Sequence, residues 1–190
     1  VQLAGPDLEV FMVSGDKDFY QLVSNHARIL NPGRGGAAAV EARVIGPDDI
    51  PDKFGVTEPR QVVDVLALMG DASDNVPGVP GVGPKTAGRL IATYGSLEDV
   101  FRRLDDLKPG LRRKLEENRD GAWSSRELVT IRTDLDLPLS LAELEARPPG
   151  GEKLSAFLER MGFRRLRQEL TGHAGTGIRE APADLFAGRE

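Results

Sequence analysis

Residues 70–86 constrain this chain more than any other part of its sequence. The segment reads GDASDNVPGVPGVGPKT, so two aspartates stand directly before a glycine-rich turn that opens a helix. Carboxylate oxygens suit a divalent cation, and the main-chain N–H groups of a glycine-rich turn can come close to a phosphate oxygen. The segment therefore predicts metal ligands beside a phosphate cradle, which is chemistry suited to a nucleic-acid backbone.

Composition excludes several classes of protein. The chain has 190 residues and no cysteine, which excludes disulfides and cysteine-based zinc sites. No apolar run approaches the roughly 20 residues that span a bilayer, so we expect a cytoplasmic protein with no membrane partner. The net charge of −5 argues against a protein that coats DNA by bulk charge alone. Residues 85–119 carry a mild excess of Lys and Arg, which a solvated helix face also produces.

Hydrophobic periodicity divides the chain. Short apolar runs indicate a buried parallel strand at 8–13, a second strand at 27–30 and an edge strand at 41–45. From residue 47 onward the apolar spacing becomes helical. The predicted helices begin at 47 and 57 and then cover 85–94, 96–104, 111–118, a capping-box helix from Ser124 to about 131, and an amphipathic stretch at 154–170.

These elements predict an α/β chain in three parts. Residues 1–46 form the C-terminal part of an α/β core with the remnant of a parallel sheet, residues 47–170 a helical subdomain, and residues 171–190 a linker or tail. The chain begins without Met and reaches an apolar run within about ten residues. We therefore expect it to be cut from something longer.

Two pairs of aspartates are the candidate catalytic and metal-binding residues: Asp16, Asp18, Asp71 and Asp74. The first pair follows the first predicted strand, and ligands of open α/β sheets bind beyond the carboxyl ends of strands. The second pair is three residues apart, which places both carboxylates on one side of a helical turn. Four acids that converge repel one another without a cation, and two divalent ions would neutralise them. The alternative is that these aspartates serve only as turn and helix-cap residues.

The glycine-rich turn nearly matches a phosphate-binding P-loop, but Pro84 separates the last glycine from the lysine. A P-loop NTPase is therefore a rival interpretation. The pattern otherwise predicts a hairpin between two helices, with a proline in the first turn of the second. Such a hairpin offers N–H donors and a lysine to DNA phosphates, and an ordinary corner between helices is the alternative. The candidate DNA-binding residues are Gly78, Gly81, Val82, Gly83, Lys85 and Thr86.

The chain resembles the 5′→3′ exonuclease and flap endonuclease family, and within it the 5′-nuclease domain of bacterial DNA polymerase I. The resemblance is carried by SGDKDFYQLV at 14–23, KFGV at 53–56, LALMGDASDN at 66–75 and the hairpin at 77–87. It extends in order from about residue 8 to residue 170, which covers most of the chain.

The resemblance implies a PIN/resolvase-like sheet followed by a helix-hairpin-helix (helix–three-turn–helix) subdomain that grips duplex DNA. It implies two Mg²⁺ or Mn²⁺ ions at Asp16, Asp18, Asp71 and Asp74, and K⁺ at the hairpin. Its implied partners are DNA with a 5′ flap, a nick or a duplex/single-strand junction, and covalently linked polymerase domains. The family's first half, with its remaining acids, has no counterpart here, so we expect this fragment alone to be inactive. A non-catalytic duplex-binding module is the alternative.

Overall fold

A computed structural model describes residues 7–33, 41–145 and 151–172 of the chain. The contacts between residues divide it into two compact units, residues 1–136 and 137–190. Among the described helices, none is both long and apolar enough to cross a membrane.

Within the described residues of the first unit, the sheet has three strands in the order β1 (Val10–Val13), β2 (Ala27–Asn31) and β3 (Arg43–Ile45). β1 and β2 run parallel with Val10 opposite Ala27, which confirms the predicted parallel pair. β3 pairs with β2 in the antiparallel direction and is shorter than the predicted edge strand. A parallel pair needs a crossover, and here the short 3-10 helix Asp18–Leu22 provides it.

Six α-helices follow within the first unit: α1 (Ile50–Phe54), α2 (Val62–Met69), α3 (Pro84–Tyr94), α4 (Leu97–Arg102), α5 (Pro109–Glu117) and α6 (Arg119–Val129). Short 3-10 helices at Pro47–Asp49 and Pro59–Gln61 lead into α1 and α2, where the sequence predicts helix starts. α2 is the centre of the core, because Val62, Val65 and Leu66 are fully buried and the helix packs against α3 and α6.

A side chain from the crossover ties the sheet to the helical part. Gln21 donates from Nε2 to the carbonyl oxygen of Val129 at 2.8 Å, and its Oε1 accepts from the N–H of Ile131 at 3.1 Å. These residues lie at the end of α6 and just beyond it. The C-terminal end of α6 is therefore held beside the loop that carries the first pair of aspartates.

The predicted capping-box start at Ser124 is wrong. α6 begins at Arg119, five residues earlier, and Ser125 lies in its interior rather than at its start. The Ser125 hydroxyl donates to the carbonyl oxygen of Gly121 at 2.7 Å, one turn back in the same helix. A serine can satisfy its hydroxyl in this way inside a helix, so the same pattern of residue types arises without a cap.

The second unit contains a 3-10 helix (Leu141–Leu144) and the helices α7 (Gly151–Arg160) and α8 (Arg164–Gly172). The amphipathic stretch predicted at 154–170 is thus divided, because Gly162 adopts a φ of 74° between the two helices. Residues 171 and 172, predicted to open the tail, end α8, and residues 173–190 lie outside the described part of the chain.

Candidate metal and nucleic-acid site

The second pair of aspartates lies in a tight turn at the end of α2. Gly70 ends the helix with a φ of 71°, and an antiparallel bridge then joins Asp71 to Val76. Asp71 donates its N–H to the Val76 oxygen at 3.0 Å, and the Val76 N–H donates back at 2.8 Å. The Ser73 N–H donates to Oδ1 of Asp71 at 2.9 Å. These bonds hold the Asp71 carboxylate inward, while Asp74 is exposed on the outside of the turn.

The first pair of aspartates lies just beyond β1, as predicted. Asp18 donates its N–H to Oδ1 of Asp16 at 2.9 Å, which folds the two residues into one small turn. Lys17 between them forms an ion pair with Oδ2 of Asp71. The side chain of Asp71 is only 3% exposed, so this ammonium is the cation that stands against a buried carboxylate oxygen. The structure therefore brings the two predicted acid turns together through Lys17.

The four carboxylates share one electrostatic environment. Burial, together with the charges of Asp16, Asp74 and Asp71, raises the pKa of Asp18 from 3.8 to about 6. The Lys17 ammonium holds the pKa of the Asp71 carboxyl below its usual range, against the opposing effect of its burial. Mutual repulsion of this kind is what a hard cation relieves, so these donors fit a divalent metal in kind.

The four acids do not form a closed metal site by themselves. Among the described residues, no group of three His, Cys, Asp or Glu side chains is close enough to hold an ion. The role of Asp16, Asp18, Asp71 and Asp74 as metal ligands therefore stays a prediction.

The hairpin packs directly on the acid turn. A Cβ built on Gly78 would lie 2.7 Å from the Gly70 Cα, and one built on Gly70 would lie 2.7 Å from the Val76 oxygen. Gly78 and Gly81 have φ values of 61° and 77°, a region that glycine adopts without strain. The hairpin follows α2 and the acid turn rather than a strand, which argues against a P-loop.

Internal hydrogen bonds divide the candidate DNA-binding residues into two groups. Gly78 donates its N–H to the Ser125 hydroxyl at 2.9 Å, and Val82 donates its N–H to the Val79 oxygen at 2.9 Å. Both residues are buried, so their amides serve the hairpin itself.

The second group faces outward. Within the described part of the chain, the main-chain N–H groups of Gly81, Gly83 and Lys85 have no acceptor, and the Lys85 ammonium has no ion-pair partner. The Thr86 N–H bonds to the Gly83 oxygen at 3.0 Å. Open amides beside a lysine at the start of α3 are the donors that a phosphate takes.

Three contacts of this region have no signal in the sequence. Lys17 gains its partner only when two distant turns meet, and Ser125 reaches Gly78 across 47 positions of the chain. Lys114 on α5 places its Nζ 3.4 Å from the Gly81 oxygen, and a Cβ on Gly81 would lie 2.5 Å from that nitrogen. No local spacing could have identified any of them.

Comparisons with known proteins agree with this arrangement. Residues 57–152 match the family model described as 5′-3′ exonuclease, C-terminal SAM fold. The chain is 41% identical over 174 residues to the thermostable DNA polymerase I of Thermus filiformis, covering 91% of this chain and 20% of the polymerase. It is 37% identical over 163 residues to DNA polymerase I of Bacillus subtilis, covering 85% of this chain and 18% of that protein. The chain thus spans about a fifth of the length of these relatives.

The fold also has solved counterparts. A bacteriophage T5 flap endonuclease, crystallised as a pseudo-enzyme-product complex with DNA and metal ions, superimposes with a TM-score of 0.57 at 22% identity, covering 68% of this chain and 46% of that one. A T5 protein co-crystallised with metal ions gives a TM-score of 0.53 at 21% identity, covering 64% and 42%. At these identities the likeness shows the fold.

Proposed function

The chain belongs to the 5′-3′ exonuclease family with the C-terminal SAM fold, and we propose that it is the C-terminal part of a structure-specific 5′ nuclease that hydrolyses DNA phosphodiesters. One observation carries the proposal. The turn that holds Asp71 and the hairpin are in main-chain contact through Gly70 and Gly78. A DNA phosphate bound at the hairpin therefore stands at a set distance from the carboxylates.

In this proposal Asp16, Asp18, Asp71 and Asp74 contribute ligands to two Mg²⁺ or Mn²⁺ ions, with the remaining ligands supplied from outside this chain. Such ions, when bound, activate a water and stabilise the leaving oxygen. Lys17 keeps Asp71 ionised, because its ammonium favours the charged form of that carboxyl. Asp18 holds its proton more tightly than a free aspartic acid until a cation arrives.

The hairpin holds the duplex through its backbone. The amides of Gly81, Gly83 and Lys85 and the Lys85 ammonium bind phosphates, which positions DNA without reading its sequence. Gly78, Val82 and Thr86 shape the same turn, with K⁺ as the cation proposed for its carbonyl oxygens.

We propose DNA with a 5′ flap, a nick or a duplex/single-strand junction as substrate, polymerase domains in the same protein, and the cytoplasm as the location. The proposed parts remain residues 1–46, 47–170 and 171–190.

A binding assay tests the hairpin. The affinity of the chain for a short duplex, measured by fluorescence anisotropy in EDTA, should fall steeply with salt and hardly change with base sequence. Lys85→Ala should lower the slope of log affinity against log salt by about one. Arg112→Ala is the matched control, because its guanidinium already lies 2.7 Å from Glu116. An unchanged slope in Lys85→Ala, or strong preference for one base sequence, would contradict the proposal.

A nuclease assay separates the enzyme from its rival. The rival is a non-catalytic duplex-binding module, and the absence of a closed metal site among the described acids is consistent with both. We expect negligible Mg²⁺-dependent cleavage of a 5′-flap DNA by these 190 residues, and cleavage by the same chain extended upstream. In the extended chain, Asp71→Ala should abolish turnover while DNA binding in EDTA is retained. Robust cleavage by the 190 residues alone, or none by the extended chain, would overturn the assignment.

A further inference from the structure

A groove of about 750 Å³ lies between α3 and α5 and begins at the hairpin. Gly81 and Thr86 line the end of the groove that meets the hairpin, and Lys108 and Gly110 line it at the start of α5. Its volume is within the range of about 300–1,000 Å³ that holds a molecule of drug size, and a nucleotide is of that size.

Four cations line this groove, Arg89, Lys108, Arg113 and Lys114, against one carboxylate, Asp106. Within the described part of the chain, Arg89 and Lys108 have no ion-pair partner. Arg113 has only a loose one, with its Nε 3.7 Å from Glu117. The groove therefore offers an excess of positive charge to an anion.

The neighbouring arginine on the same helix shows the contrast. Arg112 does not line the groove, and its guanidinium pairs with Asp105 and lies 2.7 Å from Glu116. α5 thus neutralises the arginine that points away and leaves charge on the side of the groove. A uniformly solvated helix face would show no such division.

Apolar side chains also line the groove. They are Leu90, Leu107, Leu111 and Tyr94, of which Leu90 is buried and the others are half-buried. A protein that does not read DNA sequence contacts a duplex mainly through phosphates and sugars. An apolar lining is not needed for such contacts. An unpaired nucleotide exposes the flat face of its base, which packs on aromatic and apolar side chains while its phosphate meets cations.

We propose that this groove binds one or two unpaired nucleotides of a DNA strand that leaves the duplex held at the hairpin. Phosphates meet Arg89 and Lys108, and a base lies over Tyr94 and the half-buried Leu107 and Leu111. The proposal rests on the proposed function, since it takes the hairpin as the duplex site. It adds a binding site for a single strand next to that site.

The test compares a blunt duplex with duplexes that carry a short single-stranded extension at one 3′ end or one 5′ end. The full chain is used in EDTA, with 2-aminopurine in the extension as a fluorescent reporter of base packing. We expect one of the two extensions to tighten binding by about tenfold, the equivalent of one base-stacking contact. Arg89→Ala combined with Lys108→Ala should remove most of that gain and the 2-aminopurine signal, yet change blunt-duplex affinity by about twofold or less.

Arg112→Ala is the control and should retain the full gain, and melting temperatures show whether each variant is folded. Equal affinity for all three probes, with blunt-duplex binding that still depends on Lys85, overturns the groove proposal and leaves the proposed function standing. A double variant that weakens blunt and extended probes equally also overturns it, because the groove then contacts duplex phosphates. No binding to any probe overturns both proposals.

Discussion

Replacing Arg126 with methionine should destabilise the first unit strongly, because it leaves a buried carboxylate without its cation. The Nε of Arg126 on α6 lies 2.7 Å from Oδ1 of Asp64 on α2, as an ion pair without an aligned hydrogen bond. The Asp64 side chain is only 7% exposed. Its other oxygen accepts the N–H of Leu97 at the start of α4, at 3.1 Å. One carboxylate therefore joins three helices.

The magnitude follows from the burial of the two partners. Breaking a buried ion pair by removing one partner costs about 3–5 kcal/mol. Arg126 is 34% exposed and also contacts Glu98 at 2.7 Å, so water already screens part of this pair. We therefore expect a loss of about 3 kcal/mol at pH 7, which is the low end of that range. Methionine keeps much of the apolar volume of the arginine stem, so the loss reports charge rather than packing.

The loss should depend on pH with a definite sign. Burial raises the pKa of Asp64, and the Leu97 N–H and the Arg126 guanidinium oppose that rise. Without Arg126 the folded-state pKa rises further. Below about pH 3.9, the usual pKa of an aspartate, folded and unfolded chains are both protonated and the variant loses little. As pH rises, the unfolded chain releases this proton first, so the variant's free energy of unfolding falls relative to wild type.

Urea unfolding between pH 4 and pH 8 measures the effect. Fluorescence of Trp123, which stacks on Phe101 with ring centroids 6.0 Å apart, reports the state of α6. Arg112→Met is the control, because its ion pairs are exposed. Adding Asp64→Asn to Arg126→Met should recover part of the stability at pH 7. A cost below about 1 kcal/mol, the worth of an exposed ion pair, or one that does not change with pH, would refute the reasoning.

Three further predictions concern the hairpin and the acid turn. Ser125→Ala removes the acceptor of the buried Gly78 N–H and should lower the free energy of unfolding in urea by about 1–3 kcal/mol. Ser124→Ala, at the exposed neighbouring position, should lower it by under about 0.5 kcal/mol, and equal losses in the two variants would contradict this prediction. Gly78→Ala forces a Cβ against main chain at a φ of 61°, so we expect a fall in melting temperature of at least about 8 °C, and a near-native value would count against the described contact. Asp18, with its pKa raised from 3.8 to about 6, should make stability in EDTA fall as pH rises from about 4 to 6. In Asp18→Asn this decrease with pH should be absent, and the variant should be about 1 kcal/mol more stable than wild type at pH 7 after allowance for solvent screening. An unchanged dependence of stability on pH would rule out Asp18 as its source.

The strand β1 and the hairpin could be predicted from the sequence because neighbouring residues determine their conformation. The apolar run that forms β1 is short and is followed by Ser14 and Gly15, which predicts a strand with the next aspartates at its carboxyl end. In the hairpin, Gly78 and Gly81 adopt positive φ values, whereas Gly83 precedes α3 with a φ of −90°. The membership of the family was likewise evident from motifs in sequence order.

Long-range partners could not be predicted in the same way. Arg126 and Asp64 lie 62 positions apart, and no propensity connects them. The predicted start of α6 is wrong because a serine three residues before a glutamate also occurs inside helices. Gly78 is a candidate for DNA contact by its place in the motif, yet its N–H donates to Ser125. Burial in the folded chain determines which main-chain N–H groups stay available to DNA, and the motif alone does not show this.

The main-chain contact between Gly70 and Gly78 has a consequence for how this region tolerates changes of length. Residues 71–77 form a loop whose two ends already touch, and residues 72–75 within it are exposed. An insertion at those positions would extend the loop into solvent, and the entropic cost of a longer closed loop grows only slowly. Added residues at the tip can therefore leave α2 and the hairpin as they are, but they displace the Ser73 N–H from Asp71 and move Asp74, so they should alter the acid turn alone. Insertions between residues 77 and 79 cannot extend into solvent in this way and would separate Gly70 from Gly78.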